Sequence, residues 1–233
     1  MNDLTIIYYT SNRVPTNFLA NTQKILLKAV NDTPIISVSH KPMTFGKNIC
    51  VGDIGCSAYN IYKQVLIGAK KAKTEYVATA EDDVLYPAEH FMYRPDKNTL
   101  AYDTNKWSIF TWTNPPIFSQ RPNRRTMTSL IAPREELIRT LEERYAKYPR
   151  QEEIPNSIYE YYWGEPGRFE DHLGISKVKS EKFSCSVSSI IFSHPDAFGF
   201  GHLGTRKAHS QIRTTEVKPW GTATDVLKYY KDV

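Results

Sequence analysis

The chain has 233 residues, of which 40% are hydrophobic and 24% charged, and its formal net charge is +5. That mixture excludes a disordered, collagen-like or membrane-spanning chain, and the length suits one domain with a sizeable core. Asp3 follows Met1 closely and no basic segment precedes an apolar one, so no signal peptide is expected. Cys50, Cys56 and Cys185 are few, odd in number and lack a Cys-x-x-Cys pair. They predict neither a disulfide framework nor structural zinc, and the expected compartment is the reducing cytoplasm.

The charge is local. Residues 1–103 hold 11 basic and 10 acidic residues, and residues 151–233 hold 10 and 11. Residues 104–150 hold 9 basic and 4 acidic residues, which is the whole excess of +5.

In chain order, Leu4–Tyr9 is β-branched and aromatic and predicts a buried strand, broken by Thr10-Ser11-Asn12-Arg13. Pro15 opens a helix to about Val30, with Phe18, Leu19, Thr22, Ile25, Leu26 and Ala29 at helical spacing. Ile35–Ser39 predicts a second strand and Pro42–Gly55 a loop. Ser57 suits the N-cap of a helix carrying Ala58, Ile61, Val65, Ala69 and Ala72 on one face. Tyr76–Ala80 predicts a third strand that runs into Glu81-Asp82-Asp83.

This β-α-β-α-β order predicts a mostly parallel sheet flanked by helices, the α/β class. Ligands of such sheets bind beyond the carboxyl ends of the strands, where Thr10–Arg13 and Glu81–Asp83 both fall. No P-loop or dinucleotide fingerprint follows the first strand.

Further on, Trp107–Trp112 and Met127–Ile131 predict strands flanking a Pro- and Arg-rich loop, 114–125. Residues 135–148 predict an amphipathic helix with Leu137, Ile138, Leu141 and Tyr145 inward. Residues 149–169 predict loop with a short helix, 170–178 a helix, 183–192 a strand, and the tail from His194 long loops.

Three adjacent carboxylates at a strand end repel one another unless a cation sits among them. Oxygen donors with open positions suit Mn2+ or Mg2+, which complete their shells with water and phosphate oxygens. A solvated acidic turn is the plain alternative.

The run from Tyr76 to Pro87, Tyr-Val-Ala-Thr-Ala-Glu-Asp-Asp-Val-Leu-Tyr-Pro, with His90-Phe91 after it, resembles the metal-binding segment of GT-A fold glycosyltransferases that use nucleotide sugars. Glu81-Asp82-Asp83 stands where that family has its Asp-x-Asp motif, with Glu at the first position. The resemblance covers the N-terminal half, and the rest only in scattered pieces. It implies a single GT-A domain over 1–233, with a nucleotide and metal half (1–103) and an acceptor half (104–233). Asp83 would be the main metal ligand, with Glu81 or Asp82 on the ribose or a metal-bound water. Thr10, Ser11 and Arg13 would lie against the nucleoside of the donor, a UDP-sugar by preference. Arg206 and Lys207 would add countercharge to the diphosphate, or form a solvated loop pair.

Arg168-Phe169-Glu170-Asp171-His172-Leu173 resembles the acidic element of inverting members, with Asp171 implied as the base and Glu170 beside it. A plain acidic helix start is the alternative. The family's late histidine ligand would be His194, with His202 and His209 behind it.

Arg121, Arg124 and Arg125, near Trp107, Trp112 and Phe118, suit a polyanionic acceptor. A small enzyme with a basic lobe resembles the phage enzymes that glycosylate hydroxymethylated pyrimidines in DNA. Surface polysaccharide or a small molecule is the other acceptor class. A nucleotidyltransferase of similar architecture is the competing activity, although Thr10–Arg13 lacks the Gly-rich basic loop it would use.

Overall fold

The fold is a computed structural model that describes residues 3–195, 197 and 212–231. β1 (Leu4–Thr10) is buried at every residue, so both of its faces need cover. α1 (Thr16–Val30) supplies one cover with Phe18, Thr22, Leu26 and Val30, a stripe at four-residue spacing. β2 (Ile35–Ser39) follows, then β3 (Lys47–Cys50), a short edge strand inside the stretch expected to be loop. It carries Lys and Asn, so alternation did not mark it.

α2 (Ala58–Lys71) begins at the expected cap, where Ser57 Oγ accepts from the Asn60 backbone N–H at 3.2 Å. Gly68 lets this helix press onto β1: a Cβ there would lie 2.5 Å from Ile7 Cγ2. β4 (Tyr76–Glu81) returns to the other side of β1, pairing parallel to it with Ile6 opposite Ala78. β5 (Val84–Leu85) follows the acidic turn.

β6 (Thr99–Asp103), β7 (Lys106–Phe110), β8 (Phe118–Gln120) and β9 (Leu130–Pro133) come next. Sequence periodicity missed β6, and β8 lies inside the Pro- and Arg-rich stretch read as loop. α3 (Arg134–Lys147) matches its expectation within a residue at each end. α4 (Asn156–Tyr162) is the short helix expected between 149 and 169. α5 (Glu170–Leu173) is one turn long and does not reach residue 178. Gly174 ends it with φ +62°, the left-handed cap that only glycine adopts freely.

The strand expected over 183–192 is two strands, β10 (Lys179–Phe183) and β11 (Ser189–Ser193). Asp103 breaks them apart: its Oδ1 accepts from the backbone N–H of Asn105 at 2.9 Å and of Cys185 at 3.4 Å. The tail holds β12 (Ile212–Thr214), β13 (Glu216–Val217), β14 (Gly221–Thr222) and α6 (Ala223–Lys231). α6 packs Val226 and Leu227 inward, and Tyr230 sits edge-on to Phe18 of α1 with centroids 5.0 Å apart.

A seven-stranded mixed sheet runs β10-β6-β9-β4-β1-β2-β3, and a five-stranded one runs β12-β8-β7-β11-β5. β9 is antiparallel to both its neighbours. The large sheet thus draws strands from both sides of residue 103. No described helix is long and apolar enough to cross a membrane.

One buried ion pair fastens α5 to α3. Arg144 Nη2 lies 2.9 Å from Glu170 Oε1, with side-chain exposures of 0% and 5%. The same carboxylate accepts from Gly167 N–H at 2.7 Å, and Arg144 Nη1 donates to Gly164 O at 2.7 Å. Removing one partner strands a buried charge, which costs about 3–5 kcal/mol. Arg144→Met is therefore expected to lower the melting temperature by roughly 10 °C. An unchanged melting curve would contradict this role for the pair.

Candidate active site

From β1 the chain passes through α1 to β2 on one side, then through α2 to β4 on the other. The carboxyl ends of β1 and β4 therefore flank the point where strand order reverses, the usual place for a ligand in an open sheet. Thr10 closes β1, and Glu81 closes β4 with Asp82 and Asp83 in the turn beyond it. Gln64 of α2 ties the rim together, donating to Thr10 O at 3.1 Å and Val38 O at 2.9 Å.

Each carboxylate is held by a different element. The Tyr9 hydroxyl donates to Glu81 Oε1, and Thr128 Oγ1 donates to Glu81 Oε2 at 3.0 Å. The Tyr86 hydroxyl accepts from the Glu81 backbone N–H at 3.1 Å and donates to Thr128 O at 2.9 Å, locking the strand end. Thr10 Oγ1 donates to Asp82 Oδ2, and Thr22 Oγ1 of α1 donates to Asp82 O at 2.9 Å. Asp83 Oδ2 lies 3.5 Å from His194 Nε2, just after β11. The Phe192 backbone N–H donates to Asp83 O at 2.9 Å, which brings β11 against the turn.

Asp83 Oδ1 is buried and has no hydrogen-bond partner among the described residues. A buried carboxylate oxygen left without a donor is costly, and a cation beside it would offset that cost. Three carboxylates and an imidazole are a donor set that suits Mn2+ or Mg2+.

Burial raises the pKa of Glu81 from 4.5 to about 7, with the charge of Asp83 adding to it. The same two causes raise Asp82 from 3.8 to about 7. The proton is bound more tightly in the folded state, so the stabilisation is complete at acid pH and is lost as pH rises through about 7. The metal-free protein is expected to lose several degrees of melting temperature across that window, and millimolar Mn2+ to restore them. A flat metal-free profile between about pH 5 and 8 would contradict the closeness of the three carboxylates.

A cavity of about 330 Å³ opens over this cluster. Thr10, Ser11, Arg13, Glu81, Asp82, Asp83, Arg124 and His194 all line it. Sequence reasoning had named all eight, and the fold brings them together. It had overlooked His40, Cys56, Gln64, Thr128 and Glu165, which line the same space. Gln64 had a legible signal, being a polar residue between the apolar positions Ile61 and Val65. Glu165 had none, since it sits in an aperiodic loop.

Other expected residues lie elsewhere. Asp171 is outside the lining, 64% exposed, with Lys177 Nζ at 3.1 Å from its Oδ2. Glu170 is spent on Arg144, as described above. Arg125 Nη1 donates to Gly167 O at 3.4 Å and does not line the cavity. Trp112 is 40% exposed beyond the end of β7. Arg206, Lys207, His202 and His209 lie outside the described residues. Of the α3 cations, Arg139 pairs along its helix with Glu136 and Glu143, whereas Arg144 reaches across to Glu170.

A second group of ligand-type residues, His90, Asp103 and Cys185, is buried and separate from the cavity. His90 Nδ1 lies 3.2 Å from Asp103 Oδ2. Together with the two backbone bonds to Oδ1, this satisfies the carboxylate and ties β6 to the segment between β10 and β11.

No family model matches the sequence, and no curated protein matches it. Among solved structures, the chain resembles a nucleotidyl transferase from Methanothermobacter thermautotroptrophicus at 12% identity. That likeness covers 79% of this chain and 89% of the other, with a TM-score of 0.44. A glycosyltransferase involved in glycosylation of the major capsid of PBCV-1 is 11% identical over 78% of this chain and 81% of its own, with a TM-score of 0.41. The glycosyltransferase GlyE of Streptococcus pneumoniae is 8% identical over 78% of this chain and 45% of its own, with a TM-score of 0.44. These likenesses are loose, and the functional reading rests on the residues of the site.

Proposed function

We propose that the chain is a metal-dependent glycosyltransferase of GT-A type that takes a sugar from a nucleoside diphosphate sugar. One observation carries the proposal: the buried, unpartnered Asp83 Oδ1, among Glu81, Asp82 and His194, at the strand-order reversal of a ligand-sized cavity. Asp83, the neighbouring carboxylates and His194 would hold Mn2+ or Mg2+. When bound, such an ion supplies Lewis-acid stabilisation to the departing diphosphate. Thr10, Ser11 and Arg13 line the β1 side of the cavity, where they would face the donor nucleoside, a UDP-sugar by preference. Arg206 and Lys207 remain proposed from the sequence for the diphosphate.

An inverting transfer needs a group that takes the acceptor hydroxyl's proton. Asp171 was the sequence choice, but Glu165 is the cavity carboxylate outside the metal cluster among the described lining residues. Its Oε2 lies 2.7 Å from Arg168 Nη1, and its side chain is 16% exposed. A carboxylate within the cavity is the type of group that takes a proton from an acceptor hydroxyl. We assign the base to Glu165 and keep Asp171 as the competing assignment.

The acceptor is proposed to be polyanionic, with DNA bearing hydroxymethylated pyrimidines as the first candidate. The support is the local +5 of residues 104–150, together with the exposed Arg121 and Trp112. Such a base would have to leave the duplex stack to reach the cavity. The nucleotidyltransferase alternative gains no residue: the turn after β1, Thr10–Arg13, holds no glycine.

The test is incubation with Mn2+, a donor panel and either hydroxymethylated or plain DNA, followed by mass analysis of nucleosides and donors. A hexose added to the modified base supports the full proposal. Donor cleavage without DNA modification keeps the transferase and removes this acceptor. Release of pyrophosphate from nucleoside triphosphate plus sugar phosphate would replace the transferase with the nucleotidyltransferase.

A further inference from the structure

The C-terminal segment grips β11 at both of its ends. Just before the strand, Trp220 Nε1 donates to Ser188 O at 2.6 Å. Just after it, about 20 Å further along at the rise of a strand, comes His194. The His194 imidazole lies against two rings. Phe18 of α1 is edge-on to it with centroids 6.5 Å apart, and Tyr230 of α6 is tilted by 31° with centroids 5.9 Å apart. Phe18 and Tyr230 meet at 5.0 Å, so each of the three rings touches the other two. Phe18 is also edge-on to Phe192 of β11 at 4.8 Å.

Helix spacing assembles this group. Phe18 and Thr22 are one turn apart on the buried face of α1. Thr22 Oγ1 donates to Asp82 O at 2.9 Å, so the same face of α1 touches the acidic turn and the histidine. Tyr230 follows Val226 and Leu227 at helical spacing and extends the buried face of α6. Asn21 Nδ2 of α1 donates to Tyr229 O at 3.3 Å, which fixes the end of α6 beside α1. The result at the cluster is a His194 Nε2 that faces Asp83 Oδ2 at 3.5 Å. A ligand ring already packed into its binding rotamer loses little freedom when the ion arrives.

We propose that Tyr230 is a positioning residue of the metal site: its ring, braced on Phe18, holds the His194 imidazole in the rotamer that turns Nε2 toward Asp83. The inference rests on the metal reading of Glu81, Asp82, Asp83 and His194, and it makes the C-terminal helix a working part of that site. Tyr230 acts through His194 and touches neither the ion nor the donor.

The probe is Mn2+, titrated alone and again with saturating UDP, with the free ion followed by its electron spin resonance signal. Tyr230→Ala should weaken Mn2+ binding about 10–100-fold, the scale of losing a group that orients a metal ligand. Tyr230→Leu keeps most of the volume on α6, which secures a folded variant, and should show the same loss because it has no flat ring. Tyr230→Phe keeps the ring and should bind as wild type does. In a His194→Ala background, Tyr230→Ala should weaken binding no further, since the contact it removes is already gone. Trp220→Phe frees the far end of β11, and it should lower the melting temperature with Mn2+ affinity unchanged. Equal Mn2+ binding by wild type, Tyr230→Ala and Tyr230→Leu overturns the inference. So does an equal loss in Trp220→Phe, which would mean general loosening, or in Tyr230→Phe, which would move the role from the ring to the hydroxyl. Absence of Mn2+ binding by wild type, with and without UDP, would remove the metal reading itself.

Discussion

Asp83→Asn is expected to lower sugar transfer by roughly a thousandfold, the scale of the several kcal/mol that a bound divalent ion contributes to charge stabilisation. The substitution keeps the shape and removes the charge. Asp83 is the carboxylate whose Oδ1 lacks a partner and whose Oδ2 faces His194 Nε2 at 3.5 Å. Folding should not suffer, because removing one of three crowded acids relieves repulsion on Glu81 and Asp82. The variant should therefore melt at or above the wild-type temperature without metal, while gaining little from Mn2+. Full transfer activity in Asp83→Asn would contradict the metal assignment. A folded, inactive variant that still responds fully to Mn2+ would shift the ligand role to Glu81 and Asp82.

Glu165→Gln should lower kcat by about 10²–10⁴-fold with donor affinity unchanged, the range for losing a general base. The amide keeps the hydrogen bond to Arg168 and loses the capacity to take a proton. Asp171→Asn should change kcat by less than about tenfold, because Asp171 is exposed and paired with Lys177 outside the cavity. The opposite pattern would mean that the one-turn α5 moves toward the cavity when substrate binds, and the base would be Asp171. Glu170→Gln separates from both: its carboxylate holds Arg144, so stability should fall first.

The first 83 residues were legible because local and global signals agree there. β1 and β4 are continuous apolar runs, as strands buried on both faces must be. α1 and α2 carry one apolar stripe each, and Ser57 announces a cap. The acidic turn stood out because three carboxylates at the end of a buried strand have a fixed position. The second half was harder for physical reasons. β3 and β8 are short and polar, so alternation does not mark them. β9 enters the sheet antiparallel between β4 and β6, a long-range pairing that no local pattern encodes. The division of 183–192 into two strands depends on Asp103, more than 80 positions away. α5 was expected to run longer because apolar positions continue past Gly174, but the left-handed glycine ends it.

The basic stretch divides by the same logic. A count of charges could not separate Arg139 and Arg144, which pair with glutamates, from Arg124, which faces the cavity. Nor could it show that Lys106 and Arg121 converge with Arg124 on one pocket, because that depends on the β7–β8 register. The local excess of +5 thus resolves into ion pairs of α3 and a group of cations, Lys106, Arg121 and Arg124, near the cavity.

The most direct test of the metal-dependent nucleotide site is a calorimetric titration of UDP into the wild-type chain, once with Mn2+ and once with a chelator. Binding should appear with Mn2+ and fall by at least about a hundredfold without it, since the diphosphate would otherwise face three carboxylates. Equal affinity in both titrations would contradict the assignment of Glu81, Asp82 and Asp83 to a metal.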